Sequence, residues 1–201
     1  MSGMYNLPPY DELVDQIQSL PSIGRRSAEK IAYHIIEMSE PKVDKLLTAI
    51  ERAHSDIHKC QVCGNYTDKT VCPICTDTSR DQSVICVVTR PRDIMVFEKS
   101  RVLNCRYHVL HGLLSPSEGI EPDMLNIKSL LERLEKGDIR EVIMATDPSV
   151  TGEATAMYIS RLIKPMNIKV TRLGYGIAVG SDLQYADEMT LSRSIEHRNE
   201  I

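Results

Sequence analysis

The stretch Glu141-Val-Ile-Met-Ala-Thr-Asp-Pro-Ser-Val-Thr-Gly-Glu-Ala-Thr-Ala156 changes character halfway along. Glu141 to Thr146 is a continuous, β-rich apolar run, the mark of a strand covered on both faces. Asp147 and Pro148 end it, and Gly152 to Ile163 reads as a helix. Asp147 and Glu153 therefore stand where a strand stops and a helix starts. Ligands of open α/β sheets gather at such carboxyl ends of strands.

Outward from this unit the pattern repeats. Ser83-Val-Ile-Cys-Val-Val88 is a second buried strand, and Ile168 to Leu173 a third. Ile127 to Leu134 is an amphipathic helix. Ile94 to Phe97 and Tyr107 to Leu110 read as further short strands. Strands alternating with helices at this spacing predict an α/β layer with a parallel sheet. Residues 10–59 read differently, as helices. Leu13, Val14, Ile17 and Leu20 share one face, as do Ala28, Ile31, Ala32 and Ile35. Val43, Leu46, Leu47, Ile50 and Ile57 form a third apolar stripe. Pro21 and Gly24 punctuate the first two helices, and Pro41 falls near the start of the third, where proline fits. Asp187 to Arg198 reads as a polar helix, a surface or subunit-contact element.

The cysteines carry the most specific spacing. Cys60-x-x-Cys63 and Cys72-x-x-Cys75 are separated by eight residues. Two such pairs converging on one ion is a structural zinc spacing; two disulfides would need an oxidising compartment. Thiolate would fill all four positions, so this zinc folds a knuckle and leaves no open site for water. Gly64 and Pro73 suit the tight turns. Cys86 and Cys105 lie among apolar or mixed neighbours and read as inert buried thiols.

Composition bounds the rest. The chain has 201 residues, 42% hydrophobic and 26% charged, as in a folded soluble protein. Its longest apolar run, Val84 to Val88, is far short of the about 20 residues of a membrane-spanning helix. Met1 to Gln16 carries acids and prolines rather than a basic-then-apolar leader, so the cytoplasm is the expected compartment. With eight Tyr, one Phe and no Trp, the core must be aliphatic, and any nucleic-acid contact leans on charge more than on stacking. The net charge is −4, so such a contact needs a local patch or several copies acting together.

Ser19-Leu-Pro-Ser-Ile-Gly-Arg-Arg-Ser-Ala-Glu-Lys30 offers that patch. A short Pro/Gly turn joins two helices, and Gly24 is free to take a positive φ. The turn and the next helix's first N–H groups then point outward as an anion site, with Arg25, Arg26 and Lys30 beside it. The bland alternative is an ordinary turn with a solvated basic face. Gly174-Tyr-Gly-Ile-Ala-Val-Gly180 is one residue too long for a dinucleotide loop and has no clear helix after it, so it reads as a turn. No Walker A sequence is present. His108 and His111 have no nucleophile or metal-like cluster beside them and read as structural.

The Ser19–Lys30 segment resembles a helix-hairpin-helix DNA-backbone motif, whose usual Leu-Pro-Gly-Ile-Gly hairpin here has Ser22 for its first glycine. The Ala145–Ala156 segment resembles the acidic loop of the Toprim fold of topoisomerases and primases. There the strand ends in Asp-Pro-Asp and the helix opens with Glu-Gly-Glu, and the acids hold Mg²⁺. Asp147 and Glu153 match. Ser149, Thr151 and Thr89 stand where three further carboxylates belong, and Asp93 is the other acid nearby. That resemblance implies the fold without a catalytic Mg²⁺ centre.

Taken together, the order of these motifs, with Tyr107–Gly112, Ser115–Ile120 and Asp182–Asp187, closely resembles the RecR family of bacterial recombination mediators along the whole chain. The resemblance implies four parts: a helix-hairpin-helix DNA-binding segment (1–59), a zinc finger (60–80), a Toprim domain (81–175) and a C-terminal oligomerisation tail (176–201). It implies no catalysis and one structural zinc. It implies a ring-like homotetramer that contacts DNA and works with RecO and RecF to load RecA at single-stranded gaps. Asp93, Asp147 and Glu153 would then form an acidic site for a partner, RecO, although Thr89 and Thr151 replace acids the family usually carries there. Two other readings compete: a Mg²⁺-dependent nuclease, primase or topoisomerase, and a zinc-stapled scaffold that binds only protein.

Overall fold

A computed structural model describes residues 7–174, 176–177, 180–196 and 198. The chain divides into two compact units, Met1–Ile57 and His58–Ile201. In the first, α1 (Pro8–Gln18) and α2 (Arg25–Glu37) pair through the Ser19–Gly24 turn. Their shared core is small: Val14, Ile17, Ala28 and Ala32, edged by Tyr10, Leu13, Ile23 and Ile35. The two alanines let the helices approach closely, and Tyr10 packs on Tyr33 with ring centroids 4.9 Å apart. Helix α3 (Glu40–Asp56) buries no residue, so the stripe of Leu46, Leu47, Ile50 and Ile57 lies open.

The second unit begins with a two-residue antiparallel ribbon, β1 (His58–Lys59) with β2 (Tyr66–Thr67), followed by α4 (Pro73–Thr76). A four-stranded parallel sheet follows, in the order β4-β3-β5-β6, from β3 (Asp81–Val88), β4 (Cys105–Val109), β5 (Glu141–Ala145) and β6 (Lys169–Arg172). Both faces are covered, which is why β3 and β5 read as unbroken apolar runs. Ile85, Val87, Val142 and Met144 pack beneath α6 (Ile127–Lys136) and α7 (Val150–Ile163), using Leu130, Leu134, Ile159 and Ile163. Cys86, Val88, Tyr107 and Val109 pack on the other face with Ile94 and Phe97 of α5 (Pro91–Ser100). Helix α8 (Glu188–Glu196) falls inside the expected Asp187–Arg198 helix, and Asp187 caps it by accepting the Thr190 N–H at 2.9 Å. His197, near the end of that expected helix, lies outside the described residues, as do residues 199–201.

Two expectations fail. Ile94–Phe97 is helix, not strand. Pro91 opens α5, and the Asp93 carboxylate accepts the Arg90 N–H at 2.7 Å, a capping-box bond that starts a helix. Ile94 and Phe97 are three apart and face the sheet, while Met95 and Val96 are exposed, a period that four residues are too few to reveal. Gly24 also does not take a positive φ. It is an extended N-cap at φ −83°, and Ser22 carries the left-handed conformation at φ +67°. Part of the Gly174–Gly180 segment, Tyr175, Ala178 and Val179, lies outside the described residues.

Candidate functional site

The sulfur atoms of Cys60, Cys63, Cys72 and Cys75 all lie within 4.8 Å of one another. The ribbon turn supplies the first pair, and the turn into α4 supplies the second. Cys63 Sγ and Cys72 Sγ are 3.6 Å apart, far from the about 2.05 Å of a disulfide. That spacing suits a tetrahedral ion with Zn–S bonds of about 2.3 Å, whose sulfurs lie roughly 3.8 Å apart. Backbone N–H groups point at the sulfurs: Cys72 N–H to Cys60 Sγ at 3.3 Å and Asn65 N–H to Cys63 Sγ at 3.5 Å. The hydrogen bond between Cys63 and Cys72 raises the Cys63 thiol and lowers that of Cys72. A zinc with four thiolates carries net charge −2. The buried Arg133 guanidinium lies within electrostatic reach of Cys75, Cys63 and Cys60 and offers a countercharge.

The knuckle is fastened to the end of β4. The Val109 N–H donates to Cys63 O at 2.8 Å, and His111 Nε2–H donates to Gly64 O at 2.8 Å. Gly64 sits at φ +76°, and a Cβ there would lie 3.0 Å from His111 Nε2 and 3.1 Å from Asn126 Nδ2. His108 is wholly buried and donates from Nε2 to Asn126 O at 2.7 Å. Burial lowers its pKa to about 4, so it is neutral. Both histidines therefore act structurally. Cys86 and Cys105 are buried, and burial pushes both thiols up, Cys105 to about 11, as befits inert sulfur.

The acidic residues at the carboxyl end of the sheet are arranged otherwise. Arg90 Nη2 bonds Asp147 Oδ2 at 3.2 Å. Arg172 Nε donates to Glu153 Oε1 at 2.9 Å. Its Nη1 reaches Met144 O at 3.1 Å and Thr146 O at 3.0 Å, and its Nη2 reaches Asp147 O at 3.2 Å. Asp93 is engaged in capping α5. Among the described residues, the three acids do not gather as a metal-binding set. Ser149 takes the N-cap of α7, its Oγ accepting the Gly152 N–H at 3.1 Å. Gly152 is required for steric reasons, since a Cβ there would fall 1.9 Å from Asp147 O.

Sequence reasoning passes over Arg172. Its signal lies in the strand register, because parallel pairing sets Arg172 beside Met144, one residue before the end of β5. Thr89, directly after β3, is buried, and its Oγ1 has no hydrogen-bond partner among the described residues.

In the hairpin, Ser27 and Ala28 N–H groups bond Gly24 O at 2.9 and 3.0 Å. The amides of Arg25 and Arg26 precede that first bond and stand outside the helix ladder. Arg25 is engaged with Glu29 at 3.2 Å and Asp15 at 3.7 Å. Arg26 and Lys30 are exposed and make no ion pair among the described residues.

Family models match the whole series. A RecR helix-hairpin-helix model covers residues 10–54, a RecR four-cysteine zinc finger model 57–77, a Toprim domain model 83–174 and a RecR C-terminal model 176–199. The chain is similar to the recombination protein RecR of Natranaerobius thermophilus, with 48% identity over 199 residues, 98% of this chain and all of that one. The four-sulfur cluster and the zinc finger model together identify one structural zinc, and the hairpin, knuckle and parallel sheet fall in the order those models require. With that identity along its full length, the chain belongs to the RecR family of recombination proteins.

Proposed function

We propose that the chain is a non-enzymatic DNA-binding mediator of recombination and repair. It acts as an oligomeric clamp, a homotetramer, and works with RecO and RecF to load RecA at single-stranded gaps. Its division is 1–59 for the hairpin segment, 60–80 for the zinc finger, 81–175 for the Toprim domain and 176–201 for the oligomerisation tail. It works in the cytoplasm, at the nucleoid during repair. Among the described residues no helix is long and apolar enough to cross a membrane.

The observation that carries DNA binding is Gly24. Its φ of −83° is open to any residue, and a Cβ there meets nothing within 4 Å. Glycine suits the N-cap, and without a side chain the open turn also lets a visiting backbone approach closely. Outward N–H groups and the exposed cations Arg26 and Lys30 make that visitor a phosphate. The open stripe on α3 supports self-association, and several copies multiply weak contacts into tight binding. The arginines at Asp147 and Glu153 support scaffolding over catalysis, because each carboxylate already has a cation. Asp93, Asp147 and Glu153 remain the proposed contact for RecO.

The test is a salt titration of duplex DNA binding with Arg26→Ala/Lys30→Ala, alongside plasmid nicking in Mg²⁺. The double variant should bind more weakly and flatten the salt slope by about one unit per lost phosphate contact. Unchanged affinity and slope place the DNA surface elsewhere, and Mg²⁺-dependent nicking by the parent chain overturns the non-enzymatic reading.

A further inference from the structure

We infer that a cleft between the zinc knuckle and the sheet is a second nucleic-acid site, a place where one base of single-stranded DNA stacks on Tyr66 with its phosphate on Arg92. The cleft has a volume of about 390 Å³ and is lined by Tyr66, Arg90, Pro91, Arg92, His111 and Gly112. This deepens the DNA-binding reading and rests on it.

Tyr66 is the first residue of β2, in the ribbon that holds the zinc ligands, and is 57% exposed. Tyr33 and Tyr185 are exposed as well, and what marks Tyr66 is the pair of arginines that lines its cleft. Its ring is no loose appendage. The His111 ring lies 6.5 Å away, centroid to centroid, and His111 is itself bonded to Gly64 two residues before Tyr66. The Cys63–Val109 bond holds the same turn against β4. A platform fixed in this way loses little entropy when a base stacks on it.

The charge of the lining is one-sided. Arg90 and Arg92 contribute two guanidiniums, and among the described residues no carboxylate lines the cleft. Arg90 shares its charge with Asp147, whereas Arg92 is exposed and has no ion pair among the described residues. Lys59 lies close enough for its charge to lower the His111 pKa, after burial, so the surroundings are electropositive too. A flat ring beside such cations is the chemistry of single-strand recognition: stacking takes any base, and guanidinium takes the phosphate. Duplex DNA keeps its bases stacked on one another and has none to offer.

The test uses the full chain. Tyr66→Trp supplies the chain's sole tryptophan, so its emission reports on this cleft alone. Adding oligo-dT should quench it, and an equal concentration of blunt duplex should not. In fluorescence anisotropy, Tyr66→Ala should weaken oligo-dT binding roughly tenfold. Arg92→Ala should weaken it less and lower the salt slope, and both variants should keep zinc content and duplex affinity. Unquenched tryptophan together with unaltered oligo-dT affinity in Tyr66→Ala and Arg92→Ala overturns the site, while the hairpin reading stands. Equal loss on duplex and single strand also overturns it, as a general weakening. If the parent chain binds neither DNA, the hairpin reading and this one fail together.

Discussion

The larger unit gathers ligand-type side chains in two places, and they differ in whether their charge has been answered. At the knuckle, four sulfurs crowd together, with the buried cation of Arg133 within their electrostatic reach. At the end of the sheet, Asp147 and Glu153 have Arg90 and Arg172, and Asp93 has a helix start. Ligand residues alone do not make a metal site; unmet negative charge in a closed space does. The first place therefore needs zinc in order to fold, and the second carries its cations in its own sequence.

The largest effect should follow from breaking the first place. Cys63→Ser leaves three thiolates and releases the turn that holds Val109 and His111. Because zinc binding energy is folding energy, about 10 kcal/mol or more in isolated zinc modules, the knuckle should unfold. Metal analysis should fall from one zinc per chain to near zero, with loss of the cooperative thermal transition from His58 onward. Full zinc retention would show that three sulfurs suffice.

Breaking the second place should cost less and should not depend on metal. Arg172→Met removes donors from three backbone carbonyls and leaves Glu153 without this partner. Unsatisfied groups of this kind cost about 1–3 kcal/mol each, partly offset by water at a partly exposed site, so a loss of roughly 4 kcal/mol is expected. Chemical denaturation would measure it. A loss below about 1 kcal/mol would mean that the bonds of Arg172 do not hold this end of the sheet.

Both places are partly legible from sequence, for different reasons. Cysteine spacing is a local pattern, so the zinc ligands can be read directly. The strands β3 and β5 are legible because burial on both faces leaves an unbroken apolar run. The arginines are not, because Arg172 meets Glu153 only through the pairing of β5 with β6, and Arg90 meets Asp147 across 57 residues. Helix α5 reads as strand because Ile94–Phe97 is one turn long and its start signal is the Arg90 and Asp93 backbone geometry. The hairpin is legible, but its left-handed residue is Ser22 and not Gly24, since glycine's freedom says where a positive φ is allowed and not where the turn needs it.

A third buried group tests the same principle by pH. His108 is neutral in the fold, with a pKa near 4 caused chiefly by burial, against 6.5 for an exposed ring. The unfolded chain therefore takes up a proton between pH 6.5 and 4 that the folded chain refuses, and stability falls as pH falls through that window. The loss is on the order of 3 kcal/mol and is complete below both values. Arg133 and His111 push the same way, while the bond to Asn126 O opposes it. His108→Gln keeps a donor for Asn126 O without the titration. The stability gap between parent and variant should narrow as pH drops from 6.5 to 4, measured by urea unfolding with both proteins zinc-loaded. A constant gap would mean that His108 is not what acid attacks.

The smallest effect belongs to the most exposed contact. Arg90 and Asp147 are 47% and 38% exposed, and their single bond is 3.2 Å long. Such pairs contribute about 0–1 kcal/mol, since water screens the attraction and two long side chains must be held still. Arg90→Ala should therefore move the thermal midpoint by no more than a few degrees, in contrast with Arg172→Met. The Asp147 carboxylate would be uncovered, yet Glu153 would still be held by Arg172, so Mg²⁺ should find one ligand and bind no better than before. Arg90→Ala and Arg172→Met together should then do what neither does alone: take both arginines from the two acids and raise Mg²⁺ affinity more than the sum of the single changes. Calorimetric Mg²⁺ titration of the four proteins measures that coupling. If the single Arg90→Ala variant already binds Mg²⁺ as well as the double, then Asp147 alone governs the ion, and the two arginines do not act as a pair of built-in cations.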